Sequence, residues 1–255
     1  MESKYGDNPW LICGEPNPRS RLRLFCFPYG GSGASIFRQW PENMPESIGI
    51  CPVQLPGREN RIDEPLFTVM PRLIDVMAAN LDSCFDIPFA LFGHSMGGVV
   101  AFELARYLSH AQGIDPVHLF VSASRPPHIR EPRPVHQLPK QEFINVMRNS
   151  GGIPKAVLQN NEFMELIEPI LRADFTLIET LPGSDREPLA IPITAFGGTE
   201  DTYFTAAMVD AWRKYTSSTF SIKMLPGDHF FLKSAQSILL QSITQILLPY
   251  LNGGD

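Results

Sequence analysis

Gly93-His94-Ser95-Met96-Gly97 sets one serine between two glycines, directly after the apolar run Phe89-Ala90-Leu91-Phe92 and before Val99-Val100-Ala101-Phe102. A serine hydroxyl attacks a carbonyl poorly unless a base takes its proton. The pattern G-x-S-x-G becomes chemically meaningful between a strand and a helix, where it is a nucleophile elbow. The serine then sits in a strained turn with Oγ clear of the sheet edge. The glycines remove the Cβ atoms that would hold strand and helix apart. The following helix aims its free N–H groups at the serine and favours developing negative charge there. His94 points away from Oγ in this reading and serves packing or a local hydrogen bond.

An elbow of this kind needs an acid and a histidine further along, in the order serine, acid, histidine, each after a later strand. The stretch "IPITAFGGTED" (191–201) ends in Glu200 and Asp201. Asp201, with the shorter side chain, is the preferred acid, and Glu200 is the alternative. The stretch "FSIKMLPGDHFFL" (220–232) carries His229, the only histidine after His136, which makes it the expected base. Asp228 beside it shapes the turn through its own backbone, and His110, His118, His128 and His136 are surface or packing residues. The glycine loop "FPYGGSGAS" (27–35) lacks the Lys-Ser/Thr ending of a phosphate-binding loop and has Ile36 where a dinucleotide fingerprint needs a third glycine. It fits an oxyanion loop, with the Gly30 and Met96 N–H groups as the expected donors.

These residues need a scaffold. Short apolar runs, "LRLFCFPYGG" (22–31), "IGICPVQLPG" (48–57), "PFALFGHS" (88–95), "VHLFVSASRPP" (117–127) and the two stretches above, end in glycine or proline and read as strands buried on both faces. Between them, Leu66, Met70, Leu73, Met77 and Leu81 make an apolar helical stripe over 66–85, and helices are expected over 96–112 and 234–251. Strands alternating with helices predict an α/β architecture, a mostly parallel central sheet flanked by helices, with ligands at the carboxyl ends of the strands. Residues 126–188 break the alternation. They open with "RPPHIREPRPVHQLPK", whose prolines forbid regular structure, and continue in helix-like pieces. This is read as a helical insertion, a lid over the strand ends or a surface elaboration.

The 255 residues fit one α/β domain over 1–255, and 44% hydrophobic against 19% charged residues supports a substantial core. A formal net charge of −6 argues against nucleic acid as a partner. No signal peptide and no apolar run long enough to span a bilayer is read, so a cytoplasmic protein without membrane partners is expected. Cys13, Cys26, Cys51 and Cys84 lack zinc-like spacing and are expected to be reduced and buried.

Taken in order, "LFCFPYGGSGASIFRQW", "VQLPGRENR", "LFGHSMGG", "FGGTED" and "LPGDHFFL" resemble the type II thioesterases. These are stand-alone α/β-hydrolases that accompany non-ribosomal peptide and polyketide synthetases in antibiotic biosynthesis. The mammalian enzyme that releases medium-chain acyl groups from fatty acid synthase is a similar protein. The resemblance spans roughly residues 20 to 250. It implies an α/β-hydrolase fold with Ser95 as nucleophile, Asp201 as acid and His229 as base. It also implies hydrolysis of acyl thioesters on the phosphopantetheine arm of acyl or peptidyl carrier domains, which clears stalled or misprimed synthetases. Neither metal nor bound cofactor is expected, and the chain is expected to be a monomer. Tyr29 stands where many relatives have His, and Gly30 where Ala is frequent, which leaves open any side-chain role at 29. The Asp-Ser pair of "LDSCF" (81–85) lacks the preceding glycine of a phosphopantetheine attachment site, so the carrier is met in trans. Arg125, Arg130, Arg133 and Lys140 are a candidate carrier-docking patch, or else a solvated connector. Two other readings are a general carboxylesterase or lipase of the same fold and a non-enzymatic binding protein on a hydrolase scaffold.

Overall fold

Four of the six strands are buried at every residue, which explains why their sequences lack polar alternation: β1 (Leu22–Phe27), β3 (Phe89–His94), β4 (His118–Ser122) and β5 (Ile193–Gly198). Strands β2 (Ile48–Pro52) and β6 (Phe220–Leu225) form the edges. The computed structural model describes residues 8–12, 17, 19–130, 133–149, 160–182 and 187–251. All neighbouring strands in the order β2-β1-β3-β4-β5-β6 run parallel. The chain goes outward from β1 to β2, then returns to place β3 on the other side of β1. The crevice beyond the carboxyl ends of β1 and β3 is therefore a topological switch point, where open α/β sheets bind ligands.

Helices cover both faces. Helix α1 (Met70–Leu81) and helix α2 (Met96–Tyr107) bury Leu73, Met77, Val100 and Leu104 against Phe25, Leu91 and Leu119. The expected helix over 66–85 is shorter than its stripe: Pro71 fixes its first turn, and a 3-10 turn at Asp82–Cys84 follows. Beyond α2 the expected helix continues as a π-turn, Leu108–Gln112, closed by Gly113 at φ 67°.

On the opposite face, Phe37 and Trp40 pack edge-on against Phe92, beside Leu239 and Ile243 of the C-terminal helix. Truncating such an aromatic to alanine costs about 3–5 kcal/mol. The remaining helices are α3 (Lys140–Asn149), α4 (Asn161–Glu179), α5 (Ala206–Asp210), α6 (Phe231–Ser234) and α7 (Gln236–Leu251). The helix expected over 234–251 is found as α7 from Gln236, with Ser234 ending α6.

Residues 126–188 hold no strand among those described, as the prolines require. A 3-10 turn at Val135–Gln137 leads into α3 and α4, which share a small core of Val135, Leu138, Phe143, Met147 and Leu171. The Asn160 side chain caps α4 by accepting from the N–H groups of Glu162 and Phe163. Cys26, Cys51 and Cys84 are buried; Cys13 lies outside the described residues. Among the described residues, no helix is long and apolar enough to cross a membrane.

Candidate active site

Ser95 sits directly after β3 and directly before α2, at φ 54° and ψ −117°. A non-glycine residue with positive φ stores about 1–3 kcal/mol of strain, held only by its surroundings. Here the surroundings are tight. The Ser95 N–H donates to the Ser122 carbonyl at 2.7 Å, and the Ser95 carbonyl accepts from Gly98 N–H at 3.0 Å. A Cβ on Gly93 would lie 2.0 Å from the Gly97 oxygen, and one on Gly97 would lie 2.2 Å from the Phe27 oxygen. The two flanking glycines are thus required by close approach of backbone on both sides of the serine. Met96, buried at the first position of α2, has its N–H at the free end of the helix.

The loops carrying Asp201 and His229 are joined by backbone hydrogen bonds. Thr199 N–H donates to the Leu225 carbonyl at 2.8 Å and Glu200 N–H to the Gly227 carbonyl at 2.9 Å. Across that junction, His229 Nδ1 donates to Asp201 Oδ2 at 2.9 Å. The Asp201 side chain is 2% exposed. Its Oδ1 accepts from the N–H groups of Tyr203 and Phe204, both at 2.9 Å. Burial raises the Asp201 pKa, but the His229 hydrogen bond and the two N–H donors outweigh it and hold the carboxyl below its ordinary value. Asp201 is therefore ionised at neutral pH and fixes the imidazole with its proton on Nδ1, leaving the Nε2 lone pair to accept one. Of the two candidate acids, Asp201 meets His229; Glu200 faces the exposed side of the turn. Asp228 accepts from Phe230 N–H at 2.8 Å, the turn-shaping role expected of it. The Phe204 ring stacks on His229 with centroids 4.7 Å apart.

His94 does more than the sequence indicated. It is fully buried, with Nδ1 2.9 Å from Ser122 Oγ and Nε2 2.9 Å from the His229 carbonyl. A carbonyl only accepts, so Nε2 carries the proton and the Ser122 hydroxyl donates to Nδ1. Burial, and then the nearby His229, push its pKa well down, so it stays neutral. His94 thereby fastens the loop of His229 to the residue next to Ser95; the two imidazole centroids lie 5.3 Å apart.

The glycine loop follows β1 at the switch point. The Tyr29 carbonyl accepts from both the N–H and Oγ of Ser32, at 3.1 and 2.6 Å. In a trans peptide this turns the Gly30 N–H to the opposite side of the loop from that carbonyl. Residues 54–59 brace the same loop. Gln54 Oε1 accepts from Ala34 N–H at 2.8 Å, and Glu59 accepts from the N–H and hydroxyl of Ser35. Arg58 forms a buried two-pronged ion pair with Asp174 of α4, both bonds at 2.8 Å, and Asp174 Oδ2 accepts from Gly31 N–H at 2.7 Å. Tyr29 packs edge-on against Phe230 and His94, which gives it a packing role.

The cationic run is largely committed to partners within the molecule. Arg133 pairs with Glu142 at 2.8 Å, Lys140 with Glu168 at 3.5 Å, and Arg125 lies over the Tyr203 and Phe204 rings. Arg130 is exposed. Arg133 and Lys140 are therefore not a pair of free cations.

A family model described as a thioesterase domain matches residues 22–247. A curated relative named linear gramicidin dehydrogenase LgrE, from Brevibacillus parabrevis, is 44% identical over 96% of this chain and 94% of its own. Among solved structures, the thioesterase RedJ of the prodiginine pathway in Streptomyces coelicolor superposes with a TM-score of 0.84 at 38% identity, covering 90% of this chain and 91% of its own. The type II thioesterase BorB of the borrelidin biosynthetic cluster gives 0.83 at 29% identity, covering 92% and 96%. With an α/β-hydrolase sheet, an elbow at its switch point and likeness across nearly the full length, this chain is a hydrolase of the thioesterase family and belongs to its type II thioesterases.

Proposed function

We propose that the protein hydrolyses acyl thioesters held on the phosphopantetheine arm of acyl or peptidyl carrier domains, met in trans, and so clears stalled or misprimed synthetases. Ser95 is the nucleophile, His229 the base and Asp201 the residue that orients it. The observation that carries this reading is the Asp201–His229 hydrogen bond, with the His229 loop fastened by His94 to the residue beside Ser95.

In the reaction, His229 Nε2 takes the Ser95 proton as Oγ bonds to the acyl carbon. The carbonyl oxygen becomes an oxyanion between the N–H groups of Gly30 and Met96. Each such donor lowers the barrier by about 2.7–4 kcal/mol. Collapse breaks the C–S bond, and the pantetheine thiol leaves with the proton held by His229. Water, giving its proton to the same Nε2, then attacks the acyl-serine, and the acid departs as Oγ recovers its proton.

The name of the relative LgrE raises a second chemistry, hydride transfer with a dinucleotide. The glycine loop speaks against it here: the N–H groups of Gly31 and Ser35, which a pyrophosphate would need, go to the carboxylates of Asp174 and Glu59. An anion there would meet like charge.

The test uses an acyl-loaded carrier protein. Ser95→Ala is expected to abolish its turnover and to lose labelling by a fluorophosphonate, with little change in melting temperature. Retained turnover in Ser95→Ala overturns the assignment. Acyl-pantetheine is expected to be turned over in preference to a p-nitrophenyl ester of the same acyl group; the reverse preference points to a general esterase.

A further inference from the structure

Among the described residues, the insertion meets the glycine loop through Asp174 and Leu171. Asp174 lies on α4, is 1% exposed as a whole residue, and gives Oδ2 to two donors: the Gly31 N–H and Arg58 Nη1. Its Oδ1 takes Arg58 Nη2. Arg58 in turn reaches the Ser32 carbonyl at 3.3 Å with Nη1. One turn earlier on α4, Leu171 covers Gly31: a Cβ on that glycine, which holds φ 78°, would lie 2.5 Å from Leu171 Cδ2. Gly30 is in van der Waals reach of Asp174 as well, its ideal Cβ position lying 3.7 Å from Asp174 Cβ. The loop thus has no room to rearrange while α4 is seated, and loses a buried acceptor and its covering side chain when α4 lifts.

We infer that Asp174 is a positioning residue for the oxyanion loop, so that the loop holds its catalytic shape only while helix α4 of the insertion is docked on it. This rests on the reading of Gly30 as an oxyanion donor. Without the Asp174 bond, the Gly31 N–H must find another acceptor. The nearest way is for the Gly30–Gly31 peptide to turn, and in a loop of two consecutive glycines nothing on Cβ resists that turn. Gly30 N–H shares its residue with that peptide and moves with it. A displacement of about 1 Å at a positioning contact costs about a hundredfold in rate. The coupling runs both ways: a substrate that displaces α4 loosens the loop, and one that seats α4 tightens it.

The decisive variant keeps the fold while removing the acceptor. Replacing a buried ion pair by apolar residues is often neutral or stabilising, so Arg58→Met with Asp174→Leu is expected to melt close to the unaltered protein. Its kcat is expected to fall by about tenfold or more with KM within about threefold. Inhibition by an alkyl boronic acid, whose tetrahedral serine adduct puts an oxygen where the oxyanion forms, is expected to weaken by the same factor as kcat. A variant equally active and equally inhibited overturns the coupling. A boronic acid that fails to inhibit the unaltered enzyme overturns the underlying reading of the site. Hydrogen exchange on the unaltered protein gives a second measurement that does not depend on the variant folding. The Gly31 amide is expected to exchange no faster than the α4 amides around Asp174; fast exchange at Gly31 with α4 still protected also overturns the coupling.

Discussion

The two sides of the candidate site are held by different physics. On the histidine side, short-range hydrogen bonds and ring contacts dominate: His94 between Ser122 and the His229 carbonyl, Phe204 stacked on the imidazole, and backbone N–H groups around the Asp201 carboxylate. On the glycine-loop side, a buried ion pair joins Arg58 to Asp174 across 116 residues of sequence. The first arrangement is assembled from strand ends that the sheet already aligns. The second exists only once the insertion has folded against the sheet. Breaking the Asp201–His229 contact should therefore appear mainly in rate, and leaving one charge of the Arg58–Asp174 pair unpaired in both stability and rate.

Asp201→Asn is the severest test of that contrast. The Asn oxygen still accepts from Tyr203 and Phe204, but its NH2 faces His229 Nδ1 and forces the other tautomer. A fall in kcat of about ten-thousand-fold is expected with near-normal melting; acyl-carrier hydrolysis and calorimetry check it. Arg58→Ala should do the converse, leaving the Asp174 carboxylate buried with the Gly31 N–H as its remaining donor. Urea unfolding is expected to show a loss of about 3–5 kcal/mol. His94→Leu strands the Ser122 hydroxyl and the His229 carbonyl. About 1–3 kcal/mol of stability should go for each group left unpaired, together with roughly tenfold in kcat; a variant with altered stability and unchanged rate would separate His94 from the site.

Acid stability sharpens the comparison further through a buried histidine away from the crevice. His118 is buried, stacks on Phe120 and bonds Thr194 Oγ1 at 2.9 Å. Burial lowers its pKa from 6.5 to about 4. The unfolded chain takes up this proton near pH 6.5 and the folded chain only near pH 4. Its contribution is thus complete above pH 6.5 and lost as pH falls through that window, by about 3 kcal/mol in all. His94 acts in the same sense. His118→Phe is expected to flatten part of this acid limb in denaturation curves from pH 7 to 4, while the kcat of the enzyme at pH 7 stays the same. Arg133→Ala, which breaks a mostly exposed pair, should change stability by no more than about 0.5 kcal/mol.

The same division explains what could be read from the sequence. Glycine-flanked Ser95 and the strand-terminal Asp201 and His229 each lie in a short motif at the end of an apolar run, and parallel strands carry such ends to one edge. The role of "LPGRE" was not legible in that way, because its partners are Ser35 and Asp174, on other elements. One signal was available. Along α4, Met164, Leu171 and Leu177 are buried and Ile167 partly so, tracing one apolar stripe, and buried Asp174 falls on it. A carboxylate on an apolar stripe demands a buried cation or donor. His94 carried a similar sign, ending a strand buried on both faces, where an imidazole must find two partners. Helix ends were set by local features such as Pro71 and Gly113, which periodicity does not weigh.

The Arg58–Asp174 pair has a consequence for anyone who would graft this insertion onto a relative, or a relative's onto this sheet. The segment that would be moved carries one charge of a buried pair whose other charge stays on the sheet side. A transplanted segment lacking a carboxylate at that register would leave a buried, unpaired guanidinium on Arg58. Changes to α3 and α4 that spare stability therefore lie on surfaces facing away from Gly31, with the Asp174 turn left in place.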